Sequence, residues 1–144
     1  MFTSQQKRLV QSTFLKLSLV SNQAGEWFYN RLFELDPDIK PLFANTNIHV
    51  QSTKLLQMIA TVVTSLDRLE QLTPTLKDLG QRHITYGVKR EHYAIVGQAL
   101  MSALAHVLGA EFTPEAEDAW NHVYNVMVSI TIEGIYDASQ PVNG

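Results

Sequence analysis

The apolar residues of this chain recur every three to four positions along almost its whole length. That spacing places them on one face of an α-helix, and no segment alternates apolar and polar residues as a half-buried strand does. A clear example is the stripe formed by Val10, Phe14 and Leu17. The pattern predicts an all-α protein with six substantial helices and a few short helical pieces, joined by loops of ordinary length.

Prolines and glycines mark where the predicted helices begin and end. We expect the second helix to follow Gly25 and to stop at Asp36-Pro37. The same proline can open a short helix that closes at Phe43, because its fixed φ suits the first helical position. Thr73-Pro74 and Thr113-Pro114 predict two later helix starts, in which the threonine caps and the proline follows.

Length, charge and cysteine content narrow the class of protein. A chain of 144 residues fits one globular domain, which we predict over residues 1–138 with a disordered tail at 139–144. A net charge of −3 leaves no basic surface, so nucleic acid is excluded as a partner. The lack of cysteine excludes disulfides and thiolate chemistry. With a polar N-terminus and no apolar run that approaches membrane-spanning length, we expect a cytoplasmic protein without a membrane partner.

One histidine is placed where it could serve as a ligand. His83 shares a predicted helix face with Leu76 and Leu79, and Gly87 just downstream suits a left-handed helix end. An imidazole on an apolar helix face is more often a structural residue than a metal ligand. The pattern around His83 therefore raises a metal-binding hypothesis and does not decide it.

Three sequence motifs follow one another in a fixed order: FYNRLF at residues 28–33, RHITYGV at 82–88 and AWNHVY at 119–124. In this order and at these separations they resemble the bacterial single-domain globins, which are similar to the haem domain of flavohaemoglobins. The resemblance covers almost the whole chain. It implies a globin fold whose helices surround a haem pocket, with haem b and its iron as the cofactor.

The resemblance also implies a role for individual residues. His83 matches the proximal ligand of the haem iron, and Phe43 matches a phenylalanine that wedges against the porphyrin. Tyr29 matches the distal tyrosine. Gln51 matches the distal position over the iron, although a one-residue shift of the alignment would put Ser52 there instead. Without the resemblance, Tyr29 would be a core tyrosine and Gln51 a solvated residue near a helix start.

Four further residues are expected to line the haem. Lys54 falls where a cation commonly meets a haem propionate, although it could equally be a solvated lysine. Tyr93 matches a residue near the proximal histidine, where it could either pack or form a hydrogen bond. Leu55 and Val88 are expected to supply apolar contacts to the porphyrin.

The last helix departs from the flavohaemoglobin pattern. In those domains a glutamate on this helix completes a network with the proximal histidine and a tyrosine. Counting from Trp120, Ile135 holds that position, and Glu133 lies two residues earlier, about 200° around the helix. We therefore expect the histidine to have no carboxylate partner, which makes the iron less peroxidase-like.

The resemblance implies a haem protein that reversibly binds O2 and the other diatomic gases CO and NO. Hydrogen bonds from Tyr29 and Gln51 are expected to slow the release of O2. An alternative is a nitric oxide dioxygenase that depends on an external flavin reductase. A second alternative is a six-coordinate globin for electron transfer or redox sensing, with His49 as the other histidine near the distal helix.

Overall fold

The computed structural model describes the backbone of residues 2–85 and 87–139 and the side chains of residues 2–83 and 87–133. Within those backbone ranges the chain is helical and contains no strand. The six α-helices are α1 Ser4–Leu19, α2 Ser21–Leu35, α3 Ile48–Thr64, α4 Thr73–Thr85, α5 His92–Leu108 and α6 Pro114–Ser139. Shorter 3₁₀ helices cover Pro37–Phe43, Leu66–Leu72 and Gly109–Glu111. The predicted all-α class and its six substantial helices are confirmed.

Local side-chain caps explain several helix starts. At α1, the Thr3 hydroxyl accepts a hydrogen bond from the Gln6 backbone N–H, and the Gln6 side chain accepts from Thr3 in return. At α6, the Thr113 hydroxyl accepts from the Ala116 N–H at 3.2 Å, as the threonine–proline pair predicts. At α3, the cap is the Asn47 side chain, which the sequence reading did not identify.

One predicted helix start and one predicted cap are wrong, although α4 does begin at Thr73. The helix α2 begins at Ser21 and contains Gly25 in its interior, because the glycine serves a close helix contact and not a helix boundary. Thr73 is itself helical, since the 3₁₀ helix Leu66–Leu72 runs directly into α4 and leaves no room for an extended cap. The predicted tail at residues 139–144 lies almost entirely outside the described residues, so the domain boundary stays a prediction.

The helix α2 is covered on two sides, as the width of its apolar face suggests. It packs against α5 on one side and α3 on the other. Gly25 makes the closest contact with α3: a Cβ at this position would lie 2.5 Å from the Cβ of Ser52. Because no side chain fits there, the backbones of the two helices can approach each other. The next turn of α2 carries Phe28, Tyr29 and Leu32 into an apolar cluster.

The helix α6 closes the other side of the molecule against α1 and α4. Its Trp120 is fully buried, and the indole N–H donates to the Thr13 hydroxyl of α1 at 2.8 Å. This hydrogen bond satisfies both polar groups inside the main apolar core. The larger core therefore lies on the α1–α6 side, and the smaller cluster around Tyr29 lies on the α2–α5 side.

One helical stretch, His92–Glu111, is long and apolar enough to cross a membrane by length and composition. The expectation that no apolar run approaches that length is therefore wrong for this segment. The stretch comprises α5 and the following 3₁₀ helix, and α5 buries Tyr93, Ala99 and Leu104 against its neighbours. Core helices of this kind pass the same test, so the finding is weak evidence for a membrane.

We predict that Gly25→Ala lowers the free energy of unfolding by about 1–3 kcal/mol, because the new methyl group collides with Ser52. This loss outweighs the helix preference of alanine over glycine, about 1 kcal/mol. Urea unfolding measures the change. In a Ser52→Gly background the same substitution should be neutral or stabilising, because the Ser52 side chain with which the methyl group collides is absent. An equal loss in both backgrounds would contradict the close contact.

Candidate functional site

The first polar group of the candidate site is the hydroxyl of Tyr29 on α2. Its side chain is buried, and its ring meets the ring of Phe43 in a T-shaped contact with centroids 5.5 Å apart. Burial raises the pKa of this hydroxyl, and a hydrogen bond with the Gln51 side chain partly offsets the rise. Tyr29 is therefore a neutral hydroxyl inside an apolar cluster with the Gln51 amide as its partner.

The neighbours Gln51 and Ser52 on α3 point to different partners. Gln51 is half-buried and meets Tyr29, whereas Ser52 is 2% exposed and faces Gly25. The Ser52 hydroxyl donates its hydrogen to the backbone carbonyl of Ile48 at 2.8 Å, so this hydrogen is not available to a ligand. Of the two candidates for the distal position, only Gln51 is brought together with Tyr29.

The predicted apolar contacts gather around the same cluster. Phe43 ends the 3₁₀ helix that follows α2, and its ring also meets the ring of Phe33. Leu55 lies one turn after Gln51 on α3, is half-buried, and packs against both apolar clusters. Lys54 is exposed beside it, and its ammonium group has no partner among the described residues. This placement is compatible with either of its predicted roles.

His83 lies in the last turn of α4 and is half-buried. The helix stops just beyond it, because Gly87 adopts a positive φ of 87° and the Val88 N–H donates to the His83 carbonyl at 2.9 Å. A Cβ on Gly87 would lie 3.2 Å from Leu42, so this turn packs against the 3₁₀ helix that carries Phe43. Val88 is held half-buried at the same turn.

The two ring nitrogens of His83 have different surroundings. Nδ1 lies 3.1 Å from the hydroxyl of Tyr93 on α5. Nε2 has no hydrogen-bond partner among the described residues and is free to bind a metal. Burial lowers the pKa of His83, and the positive charge of Arg82 lowers it further. A neutral imidazole is the form that binds a metal through one nitrogen and donates from the other.

Tyr93 is therefore a hydrogen-bond partner of His83 and not only a packing residue. Burial raises the pKa of its hydroxyl, which keeps the group neutral. A second tyrosine, Tyr124 on α6, donates from its hydroxyl to the backbone carbonyl of Tyr93. Sequence reasoning gave Tyr124 no role, because the two tyrosines are 31 residues apart and nothing in the local pattern connects them.

Two residues of α6 bear on whether His83 has a carboxylate partner. Glu133 on α6 has an exposed side chain. The side chain of Ile135, which we expect at the position of the family's glutamate, lies outside the described residues. The expectation that the proximal histidine lacks a carboxylate partner therefore stays a prediction.

The residues present fit a haem. His83 offers a single uncharged nitrogen. The protein itself only half buries several large apolar side chains around His83 and around Tyr29. These side chains are Leu42, Phe43, Leu55, Val88, Ile95 and Val96. Half-buried apolar side chains of this number suit a flat apolar group that covers them. The Tyr29–Gln51 pair adds hydrogen-bond donors to otherwise apolar surroundings.

Comparisons with known proteins agree with this geometry. The sequence profile of the globin family matches residues 26–131. A flavohemoprotein of Bacillus subtilis is 35% identical over 73% of this chain. A neuroglobin of Tetraodon nigroviridis is 31% identical over 92% of this chain and 91% of its own length. A solved bacterial globin from Campylobacter jejuni covers 94% of this chain and 99% of its own with a TM-score of 0.82, at 24% identity.

The chain belongs to the globin family. Membership of this family implies a haem as the group that the site holds. The chain spans only 27% of the Bacillus subtilis flavohemoprotein's length, so the match concerns one part of that larger protein.

We predict that the raised pKa of Tyr29 makes the protein sensitive to alkali. In the unfolded chain a tyrosine ionises near pH 10, and the folded pKa is higher. The stability that the neutral hydroxyl contributes is therefore complete below about pH 10 and is lost as the pH rises toward the folded pKa. Tyr29→Phe should reduce the fall in unfolding free energy between about pH 9 and 11.

Denaturant unfolding across that pH range tests the prediction. The control is Phe43→Leu, which removes a ring that touches Tyr29 but no ionisable group. It should lower stability by a similar amount at each pH. If Tyr29→Phe keeps the full pH dependence of the natural protein, the pKa of Tyr29 is not raised.

Proposed function

We propose that this globin holds haem b through a bond from the Nε2 atom of His83 to the iron, and that it binds O2, CO and NO reversibly. Haem iron with one protein ligand supplies an open coordination position for a diatomic gas. The proposal is supported by the free Nε2 atom and by the Tyr93 hydroxyl at Nδ1, which holds the ring in one orientation.

The Tyr29–Gln51 pair is the single observation that carries the gas-binding proposal. Both side chains donate hydrogen bonds, and they lie together among apolar residues where water competes poorly. A haem held here would polarise O2 more strongly than CO. Donors at this place favour O2, and hydrogen bonds to charged groups contribute about 1.5–3 kcal/mol each. We therefore infer tight O2 binding with slow release.

The remaining contacts follow from the same placement. We infer that Phe43, Leu55 and Val88 pack against the porphyrin, since each is half-buried beside the cluster or the turn that holds His83. We also infer that Lys54, which is exposed one turn after Gln51 on α3, meets a propionate. These contacts shield the apolar faces of the haem and leave its charged edge near water.

A second candidate function is a nitric oxide dioxygenase. The observation in its favour is the hydrogen bond at Nδ1 of His83, because such a bond makes the imidazole a stronger electron donor. In this reaction NO, O2 and one electron give nitrate. We infer that a flavin reductase supplies the electron. Formation of one nitrate per NO with such a reductase and NADH distinguishes the enzyme from a gas carrier.

The six-coordinate alternative is disfavoured by the distal residues. His49 is exposed in the first turn of α3, and Gln51 is the residue that meets Tyr29. A glutamine amide is a poor ligand for ferrous haem iron. We therefore expect the ferrous protein without a gas to be five-coordinate in its optical spectrum.

We predict that His83→Leu abolishes the normal ferrous spectrum and weakens haem retention, because it removes the nitrogen that binds the iron. Absorption spectra of the purified variant and the rate of haem transfer to an acceptor protein measure the effect. His106→Leu and His122→Leu are the matched controls. His106 stacks on Trp27 and His122 meets Phe2, so both have structural contacts of their own and should keep the spectrum. An unchanged spectrum in His83→Leu would refute the assignment.

We predict that Tyr29→Phe raises the O2 dissociation rate more than Gln51→Leu does. Tyr29 is the more acidic donor, and α2 is covered on both sides, so its hydroxyl is better fixed. Loss of about 1.5–3 kcal/mol corresponds to an increase of roughly ten- to a hundredfold. Stopped-flow measurements give this rate, and CO dissociation should change far less.

The control for the distal assignment is Ser52→Ala. This residue is the neighbour of Gln51, but its hydroxyl is bonded to Ile48 and its side chain faces Gly25. Its replacement should leave O2 dissociation nearly unchanged. A larger effect from Ser52→Ala than from Gln51→Leu would return Ser52 to the distal position.

A further inference from the structure

A surface cavity of about 350 Å³ lies between α2 and the last turn of α5. A volume of this size falls within the range of pockets that bind small molecules. None of the residues that line this cavity belongs to the proposed haem site. The lining residues that carry most of its chemistry are Gln23, Glu26, Trp27, Asn30 and His106.

The cavity lies on the other side of α2 from the proposed gas-binding position. Trp27 and Tyr29 are two residues apart on this helix, so their side chains point in directions about 200° apart around its axis. Trp27 is 37% exposed, whereas Tyr29 is buried. A ligand in the cavity would therefore occupy a separate site and would not compete with a gas at the haem.

An aromatic stack forms one wall of the cavity. The ring of Trp27 lies parallel to the ring of His106, with centroids 3.6 Å apart and an angle of 3° between the two planes. This contact joins α2 to α5 and fixes the orientation of the indole, part of which stays open to solvent. The π electrons of an indole attract a cation that lies against the ring. The wall therefore favours a positively charged ligand.

The polar side chains of the cavity favour the same charge. The Glu26 carboxylate has no ion pair or hydrogen bond among the described residues. Gln23 and Asn30 add amide oxygens as acceptors, and they lie three residues before and four residues after Glu26, on the same face of α2. Among the described residues that line the cavity, none is a lysine or an arginine. An anion would therefore meet a carboxylate without a compensating cation.

We propose that this cavity binds a small organic cation, namely an alkylated ammonium group with a short chain, through the Glu26 carboxylate and the exposed indole of Trp27. The carboxylate attracts the charge, and the indole attracts the ammonium group while it covers the attached carbon atoms. The side-chain amides of Gln23 and Asn30 can bond to a polar group at the end of the chain. This binding site does not depend on the haem or on the gas that the haem binds.

Choline is the probe that tests the proposal. Its matched control is the carbon analogue, in which a carbon atom replaces the nitrogen and removes the charge. Isothermal titration calorimetry with the full-length protein measures both at pH 8, where a histidine is generally neutral. We expect one choline per chain, and we expect the carbon analogue to bind roughly tenfold more weakly. In NMR spectra choline should shift the indole N–H signal of Trp27 but not that of Trp120, which is buried and bonded to Thr13.

Three variants of α2 locate the site. Trp27→Leu should weaken choline binding about two- to thirtyfold, as expected for the loss of a cation–π contact, whereas Trp27→Phe should retain most of it. Glu26→Gln should also weaken binding, because it removes the charge and keeps the shape.

The matched control variant is Glu34→Gln. Glu34 is another exposed glutamate of α2, but it pairs with Arg31 and does not line the cavity. This variant should bind choline as the natural protein does. The proposal would be overturned if the natural protein did not bind choline, if it bound the carbon analogue equally well, or if Glu34→Gln weakened binding as much as Glu26→Gln.

Discussion

The close approach of α2 and α3 at Gly25 and Ser52 sets the geometry of the proposed distal site. A Cβ on Gly25 would lie 2.5 Å from that of Ser52, so only glycine allows the two backbones to come this near. One turn further along α2 stands Tyr29, and next to Ser52 on α3 stands Gln51. The approach of these two side chains is therefore a consequence of helix packing, and any widening of the crossing would separate them.

Among the described residues, the polar side chains that this site brings together each have a partner or a proposed ligand. Tyr29 has Gln51, Nδ1 of His83 has Tyr93, and the Tyr124 hydroxyl has a backbone carbonyl. A buried polar group without a partner costs free energy, so these pairings are needed for stability as well as for function. The Nε2 atom of His83 has no hydrogen-bond partner among the described residues. The apolar side chains around it are only half-buried by the protein. The proposed haem would bind this nitrogen and cover these side chains.

Much of the fold could be predicted from local sequence patterns. The errors concern helix ends that depend on contacts with residues distant in the sequence. Helical periodicity predicted six α-helices, and the proline after Asp36 correctly predicted the short helix that ends at Phe43. Gly25 was misread as a helix boundary. A glycine is needed there because Ser52 of another helix leaves no room for a side chain. Thr73 was misread as a cap because a preceding 3₁₀ helix, invisible to periodicity, runs into α4. The apolar residues of α5 include both buried ones, which pack on other helices, and half-buried ones such as Ile95 and Val96.

The sequence by itself determined the helices, the globin family and a short set of candidate site residues, because these depend on spacing and on residue type. It left Gln51 and Ser52 as rivals, and it could not say whether Tyr93 packs or bonds. Only the tertiary structure turned Ser52 toward Gly25, brought Gln51 to Tyr29 and set Tyr93 beside His83. The hydrogen bond from the Tyr124 hydroxyl to the backbone carbonyl of Tyr93 also appeared only there. The physical reason is that a side chain's direction follows from how its helix packs, and packing joins residues that are far apart in the chain.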